Sequence, residues 1–268
     1  MNKYIMEKEI SKMNKYEQVK IFIPTKGRLD DEKTYNNLVL LGLEPVLVIE
    51  PQEVEQAASM GYEYIVLPAN NMGITYSRNY ILKEARDMGY EYICMIDDDI
   101  SQMGYIVDGK RVKDNSAFLT ALDKFLEFKT CGTMQYNQFA WCQPKSIVYN
   151  RGLEVVWFLY MPQLQNVTIE EDTIEDRDFS LDIIINHNVE TFRLNHLYFN
   201  VPSIGTNKGG IETSTRAEKQ AYWSRKMQQK WGENIITIIQ KTNGWDNIKI
   251  NWRYVDKLIK EKRGGLQK

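Results

Sequence analysis

Three carboxylates in a row, Asp97-Asp98-Asp99, follow the apolar run Tyr92-Ile93-Cys94-Met95-Ile96. Adjacent like charges repel, so the triplet is costly unless a cation offsets it. A hard divalent ion such as Mg²⁺ or Mn²⁺ takes one or two carboxylates and shares the phosphate oxygens of a substrate. If strand alternation ran on through the triplet, Asp97 and Asp99 would face one ligand, while Asp98 would turn towards a sugar or ribose hydroxyl. A solvated acidic turn, or the acidic start of a helix, would use the same residues with no ligand at all. The apolar run favours chemistry, because open α/β sheets bind ligands beyond the carboxyl ends of their strands.

Other stretches could share the work. Pro24-Thr25-Lys26-Gly27-Arg28 ends another apolar run and offers backbone donors, a hydroxyl and two cations. That set suits a nucleoside diphosphate or its base, although it is not a Walker loop. In Gly73-Ile74-Thr75-Tyr76-Ser77-Arg78-Asn79, Arg78 stands near a helix start, where the dipole disfavours a cation, so an anionic partner is expected there. The cluster Thr173-Ile174-Glu175-Asp176-Arg177-Asp178-Phe179 reads partly as a capping box from Thr173 to Asp176. Glu170, Glu171, Asp172 and Asp178 add more acid than capping needs, which suggests a general base at Asp176 or Glu175. His187 falls near a helix end, where it would cap; His196, in a strand–loop context, could complete a metal shell.

The elements that must position these residues are legible. Val19–Pro24, Pro45–Ile49, Tyr64–Leu67 and Tyr92–Ile96 read as strands, separated by helices over Glu32–Leu41, Glu53–Met60 and Ile74–Met88. Such alternation with short connections predicts an α/β domain with a mostly parallel sheet flanked by helices. After Asp99 the pattern predicts a helix over Ser116–Phe128 and strand-like segments at Thr133–Phe139, Ser146–Tyr149, Leu153–Tyr160 and Glu190–Leu194, the last leading to Asn195–Asn200. A glycine-rich loop, Gly205–Gly210, precedes helices at Ser214–Trp231 and Trp252–Lys262.

Charge divides the chain. From Lys208 onward there are 14 Lys and Arg against 6 Asp and Glu, leaving 20 against 30 before it, and four of the six tryptophans fall in that tail. A basic, aromatic tail on an acidic body predicts a polyanionic partner, nucleic acid first, with Lys208, Arg216, Arg225, Lys226, Lys230, Trp223 and Trp231 as the contacts. Amphipathic helices with tryptophans in the core would give the same composition. Three cysteines without CxxC spacing predict free thiols. No signal peptide or membrane span is expected, so a cytoplasmic protein is anticipated.

The combination of PTKGR, SRN, YICMIDDD and EDRDF resembles GT-A-fold, Rossmann-like glycosyltransferases over residues 19–210. The resemblance implies a nucleoside-diphosphate-sugar donor, such as a UDP-sugar, with Asp97 and Asp99 at Mn²⁺ or Mg²⁺ and the diphosphate. Pro24, Thr25, Lys26, Arg28, Arg78, Asn79, Asp97 and Asp98 would lie around the nucleotide sugar. Glu175-Asp176 would lie on the acceptor side, Asp176 being the better base. That family often has a third metal ligand late in the chain, for which His196 is the nominee here. The EDRDF element with Lys208-Gly209-Gly210 is similar to a narrower group, the phage DNA-modifying glycosyltransferases of the TET-associated type, which act on 5-hydroxymethylcytosine. The Asn-, Lys- and Ile-rich composition suits an AT-rich phage genome. That implies double-stranded DNA with hydroxymethylated pyrimidines as partner, and the host cytoplasm as location. Residues 1–18 would then be an extension, 19–100 the donor half, 101–210 the acceptor half and 211–268 a helical basic region. A protein or glycan acceptor, a nucleotidyltransferase and a non-catalytic DNA-binding module are the other readings of the same residues.

Overall fold

The computed structural model describes residues 15–170, 174–202, 216–240 and 245–265. The first half runs β1 (Val19–Pro24), α1 (Lys33–Leu40), β2 (Pro45–Ile49), α2 (Val54–Met60), β3 (Tyr64–Val66), α3 (Ile74–Asp87) and β4 (Tyr92–Ile96). These elements fall where the apolar periodicity predicts them. Strands β3-β2-β1-β4 are parallel neighbours. Every residue of β2 and β4 is buried, as expected for strands covered on both faces. Alternate side chains feed two cores. Ile93 and Met95 join α3 through Ile81, Leu82 and Ala85. Tyr92, Cys94 and Ile96 join Leu38 of α1 on the other face.

The second half adds β5 (Gln102–Val107), β6 (Lys110–Lys113), α4 (Ala117–Phe128), β7 (Gly132–Tyr136), α5 (Asn137–Ala140), β8 (Ile147–Tyr149), β9 (Val156–Tyr160), α6 (Glu175–Ile185) and β10 (Phe192–Asn200). They extend one ten-stranded sheet in the order β3-β2-β1-β4-β9-β7-β10-β5-β6, with β8 on β10. The sheet is mixed: β9 is antiparallel to β4, whereas β10 is parallel to β7. Between Asp99 and Ser116, where no strand is predicted, β5 and β6 form a hairpin. Asp108 and Gly109 turn it with φ of 49° and 71°, the positive-φ pair that matches strand twist. The segment predicted as strand to Phe139 leaves the sheet at Tyr136 and winds into α5.

The tail differs most from expectation. It runs α7 (Arg216–Trp231), β11 (Ile236–Gln240), β12 (Asp246–Ile250) and α8 (Trp252–Gly265), so an antiparallel hairpin interrupts the predicted helical region. Met227, Ile236, Ile248, Val255 and Ile259 belong to the same buried cluster as Trp157 and Phe179. Arg151 clamps α8 through Asp256 at 3.0 and 3.1 Å. The apolar residues of the tail therefore complete the body's core. Among the described residues no helix is long and apolar enough to cross a membrane.

Candidate active site

Strand β4 stops at Ile96, and the backbone turns at Asp98-Asp99. Asp97 still follows the face of Ile93 and Met95, towards α3 and α6, where its Oδ1 accepts a hydrogen bond from Arg78 Nη2 at 2.9 Å. Asp98 faces the other way. Its Oδ1 takes Arg28 Nη1 at 2.5 Å and its Oδ2 lies 2.8 Å from the Thr25 hydroxyl. Asp99 Oδ2 lies 3.4 Å from the same Arg28 nitrogen. The expectation that Asp97 and Asp99 pair while Asp98 stands apart is corrected. The turn ends the pleat, so Asp98 and Asp99 share Arg28, and Asp97 has Arg78. Two arginines thus carry much of the compensation that the bare triplet seemed to require. Burial still pushes Asp97 up to about 7, with Asp99, Asp98 and Glu175 adding to the shift against Arg78. Its side chain keeps 36% of its surface, so water moderates that penalty.

Arg78 is a strut. Its side chain is only 5% exposed, and Nη1 reaches Glu175 Oε1 at 2.9 Å while Nη2 holds Asp97. The guanidinium lies 4.2 Å over Trp157, which stacks on Phe179 at 5.0 Å and 6°. A cation at this helix start is stable because two carboxylates face it. The anionic partner expected for Arg78 is this pair of carboxylates, through which the side chain bridges the triplet and α6. Asn79 is also committed: its amide gives and receives 2.8 Å hydrogen bonds with the Ile169 backbone, fixing the chain that leads to α6.

The loop after β1 is similarly tied. Lys26 Nζ lies 3.0 Å from Glu50 and 2.6 Å from Asn71. Gly27, at φ 68°, donates its N–H to Glu53 at 2.6 Å. Pro24 closes β1 in the core. Glu50 and Glu53 were invisible as site residues, although Glu50-Pro51-Gln52-Glu53 is a capping box with proline at its first turn. Thr25 lies between two carboxylates, 2.5 Å from Glu32 Oε1 and 2.8 Å from Asp98. One hydroxyl proton cannot serve both, so the second must sit on a carboxyl. Glu32 holds it, because burial pushes this group up to about 8, with Asp98 adding and Thr25 opposing.

That proton has a measurable consequence. Unfolded, Glu32 titrates near about 4.3. Its stabilising contribution as a neutral acid is therefore complete below that pH and is lost as pH rises through about 8. Glu32→Gln keeps a donor for Thr25 and cannot ionise. The variant should gain melting temperature on the wild type between pH 6 and about 8, and the gain should level off above that. Parallel melting curves across that range would disprove the assignment.

At the start of α6, four successive residues of the first turn point four ways, as about 100° per residue requires. Glu175 meets Arg78. Asp176 lines a cavity of about 830 Å³ with Tyr136, Phe139, Glu154, Lys249 and Trp252. Arg177 holds the tail hairpin through Asn247 at 2.9 Å and the Ile248 carbonyl at 2.8 Å. Asp178, buried, takes Trp231 Nε1 at 2.6 Å and Lys230 Nζ at 2.8 Å. Glu154, which the sequence reading missed, is pushed up to about 7 by burial, with Asp176 adding and Arg193 opposing. A lone carboxylate just before an apolar strand was its only signal. Burial raises the Tyr136 hydroxyl, with Glu154, Asp176 and Asp97 adding, so this ring stands where the two carboxylate groups meet. The Thr173 cap, with Glu171 and Asp172, lies outside the described residues.

The remaining expected contacts are mostly placed elsewhere. Lys208, like the Gly205–Gly210 loop, lies outside the described residues, and Arg216 opens α7. Arg225 is exposed and Trp223 half-buried. Lys226 lies 3.4 Å from Glu170, and Lys230 2.6 Å from it. Lys230 and Trp231 hold α7 to the body through Asp178 and Glu170. His187 Nε2 faces the Asp182 carboxylate at 3.4 Å near the end of α6, a side-chain contact rather than a cap on the helix carbonyls. His196 Nδ1 lies 3.0 Å from the Ser146 carbonyl. Its strand is three places from β4 in the sheet, about 14 Å at the usual spacing. Among the described residues no three His, Cys, Asp or Glu side chains form a metal-holding group, so His196 is not brought to Asp97 and Asp99.

A family model for TET-associated glycosyltransferases matches residues 19–210, well over half of the chain. The chain belongs to that family. The matched span contains β4, its triplet and α6, whereas α7, the tail hairpin and α8 lie beyond it. Part of the cavity beside Asp176, Lys249 and Trp252, therefore comes from outside the family span. No curated protein matches the sequence. Among solved structures, a CMP:2-keto-3-deoxy-manno-octonic acid synthetase complexed with CTP is 14% identical, covering 79% of this chain and 99% of its own, with a TM-score of 0.43. A protein from Desulfovibrio desulfuricans G20 assigned as a nucleotide-diphospho-sugar transferase is 11% identical, with coverages of 80% and 96% and a TM-score of 0.41. A197 from STIV is 17% identical, with coverages of 68% and 83% and a TM-score of 0.37. These scores are low, and the membership rests on the sequence match.

Proposed function

We propose that this glycosyltransferase moves a sugar from a nucleoside-diphosphate sugar to the hydroxyl of 5-hydroxymethylcytosine, or a related modified pyrimidine, in phage DNA. The observation that carries the reading is one continuous line of groups. Asp97 at the end of β4 joins Arg78, Arg78 joins Glu175, and the next residue, Asp176, opens into the 830 Å³ cavity. The carboxyl end of β4 serves the donor, and the cavity serves the acceptor.

A divalent cation at the donor end would need Asp97 and Asp99 to turn from Arg78 and Arg28 towards each other, because among the described residues no three carboxylate, imidazole or thiol groups converge there. Asp97, Asp98, Asp99 and Glu175 bring four carboxylates against Arg28 and Arg78, and burial, opposed by Arg78 and aided by the other three carboxylates, pushes Asp97 up to about 7. Asp97 and Asp99 would hold Mn²⁺ or Mg²⁺, which supplies positive charge to the departing diphosphate. Asp176 accepts the proton of the acceptor hydroxyl as its oxygen bonds to the anomeric carbon. The bond from that carbon to the donor phosphate breaks, and the nucleoside diphosphate leaves with the electron pair. Arg78 fixes Glu175 and Asp97, and so fixes the distance between donor and base.

Incubation with hydroxymethylated DNA, Mn²⁺ and a panel of UDP-sugars, followed by mass analysis of the nucleosides, tests the proposal. A sugar-sized mass gain on the modified cytidine is expected. Failure of every donor to add mass to DNA, with transfer to a protein or glycan instead, would sink it.

A further inference from the structure

We propose that the cavity beside Asp176 takes a single pyrimidine nucleotide swung out of the duplex, and that Phe139 and Trp141 fill the stack it leaves. This rests on the reading of DNA as the acceptor. The cavity is walled by the β7–α5 segment, the start of α6, the end of β10 and strand β12. A major groove about 12 Å wide and 8.5 Å deep admits one helix or ribbon. It cannot take in four converging elements, so a base inside an intact duplex cannot present its 5-substituent to Asp176. The base must come to the carboxylate.

The cavity suits such a guest. Its volume of about 830 Å³ falls within the range of small-ligand sites, about 300–1,000 Å³. Tyr136 and Trp252 offer ring faces, while Glu154 and Arg177 offer an acceptor and a donor set for base edges or phosphate. The rim carries the second element. Phe139 is 49% exposed and Trp141 58% exposed, on or next to one short turn. The turn is pinned: Trp141 Nε1 donates to the Gln138 carbonyl at 3.1 Å, and Phe139 meets Tyr136 edge-on at 6.5 Å. Large rings held rigidly in water contribute little to the core. Phe139 on the cavity wall, and Trp141 outside the lining but against Gln138 of that wall, match the apolar wedges that enter base steps. Strand β6, Lys110-Arg111-Val112-Lys113, is exposed throughout and lies two places from β10, whose last residue, Asn200, is on the cavity rim. It supplies positive charge for phosphates on that side, and the same charge blunts the sheet edge.

The test compares sugar transfer to one hydroxymethylated oligonucleotide, as duplex and as single strand, by wild type and by Trp141→Ala. Unstacking a base costs a few kcal/mol, and a single strand has already met that cost. Trp141→Ala should lower duplex turnover about tenfold more than single-strand turnover, and Trp141→Phe should restore the ratio. With 2-aminopurine next to the target and no donor present, wild type should raise the fluorescence and Trp141→Ala should not. Transfer to both forms with an equal defect on both, or no fluorescence change with wild type, overturns the flipping proposal alone. No transfer to either form by wild type sinks the DNA reading, and this proposal with it.

Discussion

The Arg78→Met variant is expected to lose about 3–5 kcal/mol of stability at neutral pH, and to lose sugar transfer altogether. Methionine fills a similar volume over Trp157 but leaves the half-buried Asp97 and Glu175 without their shared cation. The two carboxylates would then either repel or take up protons. Both already sit above the ordinary carboxylate range, chiefly from burial. The defect should therefore shrink on acidification, where protonation replaces the lost charge. Denaturant melts at pH 5 and pH 8 read this directly. A variant as stable as wild type at pH 8 would show that the strut is dispensable. Arg78→Lys should recover only part of the loss, because one ammonium cannot span both carboxylates with the planar fork of a guanidinium.

Asp176→Asn is expected to lower turnover by about 10²–10⁴, the usual worth of a general base, while leaving donor binding intact. Asp176 lines the acceptor cavity and makes no ion pair with Arg78, so asparagine can keep the local hydrogen bond to the Arg177 N–H. Asp99→Ala should do the reverse, removing the rise in melting temperature that a UDP-sugar and Mn²⁺ produce together. The two variants separate the donor end from the acceptor end. Turnover within a few-fold of wild type in Asp176→Asn would move the base elsewhere, with Glu154 on the same cavity as the next residue to test.

The sequence by itself determined a good deal. Short apolar runs between turn residues gave β1 to β4 and the helices between them, because strand and helix periodicity are local properties. A triplet of carboxylates at the end of a buried run marked the site, and the acidic turn at Glu175-Asp176 marked its other half. Only the tertiary structure decided which charges meet. Asp99 turns to Arg28 because β4 ends at Ile96 rather than one pleat later. Arg78 serves two carboxylates, 19 and 97 residues away in sequence, because α3 and α6 share one face of the sheet. His196 is excluded from that cluster by strand order, which no local pattern encodes. Lys230 and Trp231 belong to the body, since Asp178 is buried opposite them. Composition reports how much charge a chain carries. Its partner is fixed by where strands stop and which strands are neighbours, and those depend on the whole packed sheet.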